Sequence, residues 1–166
     1  MRDSLMPLIK SVQKFRSHFH SLKDVFLFIR IFFLITILPV LIKVLTIPQL
    51  MQTLTPQVKR SNNKVCKQDI EKRIVQYTDY ILSRNFWVYK STCLKRSLTL
   101  YHFFRRLGTD VQICFGVRRK KDLPDLTGNQ DIEGHAWLLN NGEFFRETNT
   151  ETAQAYKMTY CFPEIN

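Results

Sequence analysis

With 166 residues, 45% of them hydrophobic, the chain can bury one good core, most simply as one domain with an N-terminal helical extension. The net charge of +11 is uneven: residues 1–60 hold nine Lys or Arg against two Asp, giving +7, and the rest holds sixteen against twelve, giving +4. No helix-turn-helix, zinc or RNA-reading motif accompanies that charge, and the aromatic residues cluster in apolar runs rather than among the basic ones. Both observations argue against nucleic acid and for an acidic partner or an anionic membrane surface.

Residues 1–60 read as a basic, hydrophobic and mostly helical segment; His18 and His20 fall in its basic start and support no functional claim. The apolar run Val25 to Ile42 has eighteen residues, interrupted by Arg30, Thr36 and Pro39 and flanked by Lys23 and Lys43. That length just reaches the lower limit for a bilayer span, Arg30 is costly at bilayer depth, and Pro39 is expected to bend a helix. The run begins late and lacks a small-residue cleavage site, which argues against a signal peptide. Three arrangements remain: a span, a helix lying on a membrane or partner, and a helix packed on the catalytic domain. Pro48 and Pro56 then punctuate a connection to Lys59-Arg60-Ser61-Asn62-Asn63-Lys64, which is the expected domain edge, with the catalytic domain at 61–166.

From Gln68, the spacing of Ile70, Ile74, Tyr77 and Ile81 predicts an amphipathic helix ending near Asn85, after which Trp87 and Tyr89 are placed to line an approach to Cys93. A second helix follows Cys93: Leu94, Leu98, Tyr101 and Leu107 keep to one face, and Gly108 supplies a stop. Cys93 therefore sits at or beside a helix N-terminus. There the open amides and the macrodipole place about half a positive charge, which favours thiolate over thiol and can hold an oxyanion. His102, nine residues on and half a turn off the face that carries Cys93, is expected to pack or to lie at the surface.

Beyond Gly108 the period changes to two. Val111, Ile113 and Phe115 predict a strand to Val117, followed by a polar loop from Arg118 to Asp131. His135, Trp137 and Leu139 share one face of a second strand, Asn141-Gly142 is a hairpin turn, and Phe144 to Thr148 is the expected return strand. In a hairpin centred on that turn His135 lies across from Thr148 and diagonal to Glu147. A carboxylate there holds the imidazole in one tautomer, the third role in a Cys-His-acid array. Glu133 and Glu143 are substitutes for Glu147.

Cys66 precedes the first of these helices, Cys114 lies on a strand with its facing undetermined, and Cys161 is near the tail. No C-x-x-C or Cys/His ligand spacing joins them, so no metal is expected, and four cysteines without a signal pattern suit a reducing cytosol.

The order of helix-borne Cys93, His135 before Ala136-Trp137, and a later acid resembles the transglutaminase-like cysteine enzymes, which share a papain-like catalytic core. The resemblance implies an α+β fold: a cysteine at a helix N-terminus packed on a small antiparallel sheet, preceded by the helical N-terminal segment. Within that group, Cys93-Leu94-Lys95-Arg96-Ser97-Leu98, Arg105-Arg106-Leu107-Gly108, Phe115-Gly116-Val117-Arg118 and Gly134-His135-Ala136-Trp137 closely resemble the lasso-peptide leader peptidases, also called microcin-processing proteins, over Phe86 to Thr150. Carried over, the nucleophile falls on Cys93, the base on His135 and the acid on Glu147. The family commonly has Asp where this chain has Glu147. Arg96 and Ser97, one turn along from Cys93, pack or orient it.

The resemblance implies a cysteine protease that removes the leader of a ribosomally made precursor and frees the core amine for a separate lasso cyclase. That chemistry requires no metal or organic cofactor. Relatives of this kind carry an extra leader-binding domain with alternating strands, whereas residues 1–90 read as helical, so a separate small leader-recognition protein is the expected partner. Family members carry a comparable Leu-rich, Arg-interrupted segment and are treated as cytosolic, which favours a packed or surface-lying helix over a span and a cytoplasmic enzyme, peripheral or anchored at the inner membrane face. Two other classes use the same features: acyl transfer to an amine, and a catalytically inactive membrane-associated scaffold.

Overall fold

The computed structural model describes residues 22–56, 64–84, 92–119, 132–147 and 149–163. His18, His20, Trp87, Tyr89 and Thr148 lie outside them. The elements in chain order are α1 (Leu22–Val44), α2 (Ile47–Leu54), α3 (Lys64–Ser83), α4 (Cys93–Arg106), β1 (Val111–Arg119), β2 (Ile132–Asn140), β3 (Glu143–Phe144), α5 (Thr150–Gln154) and β4 (Lys157–Phe162). The fold is α+β: helices packed against one four-stranded antiparallel sheet in the order β3-β2-β1-β4.

The central helix is α4. Thr92 caps it, its hydroxyl accepting from the Lys95 amide at 3.2 Å, so the helix begins at Cys93. Gly108, with φ of 72°, ends it in the left-handed region that glycine adopts without strain. Between these ends Leu98, Leu100, Tyr101 and Phe104 are wholly buried, on more than one face, because α4 has the sheet on one side and α1 and α3 on the other. Each such side chain contributes about 1.5–3 kcal/mol of transfer free energy. Ile31, Ile35 and Leu38 of α1 and Leu50, Met51 and Leu54 of α2 belong to the same core.

Polar contacts fix the helices in register. Asp24 of α1 is buried and pairs with Arg73 of α3. Tyr101 Oη and Thr55 Oγ1 lie 2.9 Å apart, and His102 Nδ1 is 2.8 Å from the Leu54 carbonyl. His102 thus packs at the α2 end, where burial lowers its pKa. At the far end of α4, Lys67 of α3 donates to the Gly108 carbonyl at 3.0 Å, and Thr109 donates to Glu71 at 2.7 Å.

β1 and β2 pair from Val111↔Asn140 to Arg119↔Ile132, so both strands extend a little further than the polar loop implied. The Asn141-Gly142 turn forms, with positive φ at both residues, and Leu139↔Phe144 and Asn140↔Glu143 have the expected register. The return strand, however, stops at Phe144 rather than reaching Thr148. Arg146 takes a φ of 56° and turns the chain away from β2.

β4 completes the sheet on the other side of β1. Cys114 and Cys161 occupy opposed positions on the two strands and are joined in a disulfide, which corrects the expectation that the cysteines stay reduced. The bond closes a loop with a sequence separation of 47 residues. On a chain-entropy account it stabilises the fold by about 4 kcal/mol. Cys161→Ala, or reduction of the native chain, is expected to lower stability by about 2–4 kcal/mol in urea unfolding. An unfolding midpoint unaffected by a reductant would show that the pair contributes nothing.

Candidate active site

The three sequence-predicted residues come together at one end of the sheet. Cys93 opens α4 and is half-buried, with Sγ 4.0 Å from the carbonyl of Gly134, the residue before His135 on β2. His135 and Glu147 are largely enclosed, their side chains 15% and 9% exposed, with Nε2 and Oε2 4.0 Å apart. His135 Nε2 has no hydrogen-bond partner and faces the carboxylate. That assignment leaves Nδ1 as the ring nitrogen for exchange with a thiol.

Glu147 reaches the histidine from the turn after β3 and not from a strand. The two substitutes lie elsewhere: Glu133 is held by Arg118, its Oε2 2.9 Å from Nη2 and 3.0 Å from Nε, and Glu143 lies exposed on β3. What fixes the turn is a set of contacts from α3 and α4. Arg96 grips Asp79 of α3 through two nitrogens at 2.7 and 3.3 Å and donates a third hydrogen bond to the Arg146 carbonyl at 2.9 Å. The Arg146 side chain lies 3.7 Å from buried Glu71. Ser97, fully enclosed, donates to the Ala136 carbonyl at 2.8 Å. Arg96 and Ser97 therefore act on the backbone beside Glu147 and His135, tying the helix that carries the thiol to the segments that carry the other two groups.

An aromatic wall surrounds the imidazole. Trp137 stacks on it at 5.9 Å and 22°, and Tyr156 at 5.1 Å and 28°. Tyr156, just ahead of β4, also carries Arg118 over its ring at 4.5 Å, and its hydroxyl lies 3.4 Å from Glu133. Burial first, then the negative charge of Glu133 and the influence of Cys93, pushes the Tyr156 phenol above its ordinary range, against the pull of Arg118. No local pattern points to Tyr156, because the strand that follows it is short and pairs only at long range. Asp79 and Glu71 were likewise unread: on α3 they are ordinary helix carboxylates until their partners are known.

Gly116 makes room for this wall. It pairs with His135 across β1 and β2, beside a register shift between β1 and β4 at Phe115/Gly116. A Cβ there would sit 2.7 Å from the Trp137 ring and 2.9 Å from the Lys157 carbonyl. The second atom is backbone and cannot swing aside. Gly116→Ala is therefore expected to cost about 1–3 kcal/mol and to shift the tryptophan emission as Trp137 is displaced; unchanged urea unfolding and emission would refute that packing.

Among the described residues, no three His, Cys, Asp or Glu side chains converge as a metal site requires. A cysteine-headed central helix packed on an antiparallel sheet with a histidine on its second strand defines an α+β domain of the papain-like or transglutaminase-like class. Residues 35–160, well over half the chain, match the transglutaminase-like superfamily, and the chain belongs to it. Enzymes of that superfamily are in general cysteine proteases and acyltransferases. No match was found among curated proteins or among solved structures.

Proposed function

We propose that this chain is a cysteine peptidase that removes the leader from a ribosomally made, lasso-type precursor, acting with a separate small leader-recognition protein and ahead of a lasso cyclase. The observation that carries the reading is that Glu147 Oε2 lies 4.0 Å from His135 Nε2 while Cys93 Sγ lies 4.0 Å from the carbonyl of Gly134, the residue before His135. The finer assignment to leader peptidases rests on the four stretches around Cys93, Arg105, Phe115 and Gly134.

In this mechanism the Cys93 thiolate attacks the carbonyl at the leader–core junction. The resulting oxyanion is held by the first amides of α4, which have no partner within the helix. His135, carrying the thiol proton, gives it to the departing core nitrogen as the C–N bond breaks, leaving a thioester on Cys93. Water then attacks the thioester with His135 as base, the C–S bond breaks, and the leader departs as a carboxylate. Glu147 keeps the ring oriented and offsets its charge while it is protonated.

The test is to incubate the purified chain and its recognition protein with a lasso-type precursor from the same gene neighbourhood, with and without an added amine, and to weigh the products. One cut at the leader–core junction, giving a free leader carboxylate and a free core amine, is the expected result. No cut, or a leader fragment joined to the added amine, would overturn the leader-peptidase reading.

A further inference from the structure

Helix α1 is apolar on two faces and only one is used. Ile31, Ile35 and Leu38 are wholly buried against the helices of the domain. On the outer side Phe26, Ile29, Phe33, Ile37, Val40 and Val44 follow a spacing of three and four residues and form one continuous stripe. These six are 40–74% exposed. At 1.5 Å per residue the stripe runs about 27 Å, much longer than the scattered apolar residues of an ordinary surface. Beside it lies an open groove of about 300 Å³, walled by Ile29, Phe33, Ile37, His102 and Phe103.

The charge around the stripe has one sign. Asp24, the sole acidic residue of α1, is buried on the inner side with Arg73. Arg30 lies over the exposed Phe26 ring at 5.4 Å, close enough to Arg106 of α4 that the two positive charges, after burial, lower the Arg30 pKa. Neither arginine pairs with a carboxylate among the described residues. Lys23 and Lys43 stand exposed at the two ends of the helix, and the sequence before α1 adds four Lys or Arg against one Asp.

Length and composition alone allow α1 to cross a bilayer. Its packing points elsewhere. A crossing would strip Ile31, Ile35 and Leu38 from the core and part Asp24 from Arg73, leaving a carboxylate near the hydrocarbon. A helix held along one side by its own domain, apolar on the other and rimmed by cations, suits the boundary between headgroups and acyl chains.

We propose that the outer face of α1 docks the chain on an anionic phospholipid bilayer, with the helix axis in the membrane plane, the stripe from Phe26 to Val44 among the upper acyl carbons, and Arg30, Arg106, Lys23 and Lys43 at the phosphates. Arg106 closes α4 and Cys93 opens it, about 20 Å away along the helix.

The test is flotation of the full chain with vesicles of phosphatidylcholine alone or with about one part in three of phosphatidylglycerol. Most of the protein is expected to float with the anionic vesicles, at least about tenfold more than with the neutral ones, and to be released by alkaline carbonate. The triple variant Phe26→Glu, Phe33→Glu, Val40→Glu is expected to stay unbound while keeping the wild-type circular dichroism. Arg30→Glu with Arg106→Glu is expected to lose the preference for the anionic vesicles. A wild-type chain that does not float, or a triple variant that floats as well as wild type, would overturn the proposal. So would resistance to carbonate, which marks a span, or a wild-type dimer that the triple variant converts to monomer without any vesicle binding, which marks a second copy on the stripe.

Discussion

Cys93→Ala is expected to reduce cleavage of a precursor peptide by about 10⁴-fold or more, while the unfolding midpoint stays at the wild-type value. The two halves of that result have separate causes. Cys93 is half-buried at the first position of α4, outside the core cluster, and Thr92 rather than the thiol caps the helix. Loss of one sulfur therefore removes little packing. The chemical loss is large because no neighbouring group replaces the nucleophile: Ser97 is fully enclosed and committed to the Ala136 carbonyl, and Thr92 to the Lys95 amide. Rates measured by product mass over a long incubation read the ratio. A variant that retains a tenth of the activity would rule out a thioester on Cys93.

His135→Ala comes next, with an expected loss of about 10³-fold or more in the same assay. The imidazole both takes the thiol proton and returns it to the leaving nitrogen, so its removal stops the first step and slows the second. Glu147→Ala is expected to reduce activity by less, because Arg96, Arg146 and the rings of Trp137 and Tyr156 still define the pocket around His135. Removal of the carboxylate takes away orientation and charge compensation but no reacting atom. A Glu147→Ala loss as large as that of His135→Ala would instead make Glu147 the proton carrier.

The parts legible in the sequence are those written in local code. The α4 helix follows from apolar spacing between Thr92 and Gly108, β1 and β2 from alternation, and the hairpin from Asn141-Gly142. That register holds for Leu139↔Phe144 and Asn140↔Glu143, whereas Glu147 comes within 4.0 Å of His135 from the turn made at Arg146. What the sequence hid depends on partners distant in the chain. β4 carries mostly exposed or half-buried residues without alternation, and its strand character comes from pairing with β1. With β4 unread, the apposition of Cys114 with Cys161 and the stacking of Tyr156 on His135 were unread as well. The shortened β3 has the same origin: Arg146 holds a positive φ because Arg96 and Glu71 grip it from α4 and α3. In α1, apolar on all sides, periodicity has nothing to distinguish the packed face from the open one. The buried Asp24–Arg73 pair marks the packed face.

The central claim is that a thiol opening α4 and an imidazole on β2 work as a pair, and it can be tested without knowing the substrate. The measurement is the rate at which iodoacetamide alkylates Cys93 at neutral pH, followed by peptide mass, in the wild-type chain and in His135→Ala. If His135 accepts the thiol proton, Cys93 in the wild type reacts at least about tenfold faster than in the variant. Equal rates in the two chains would mean that Cys93 and His135 are merely neighbours, and the Cys-His-acid account would fail.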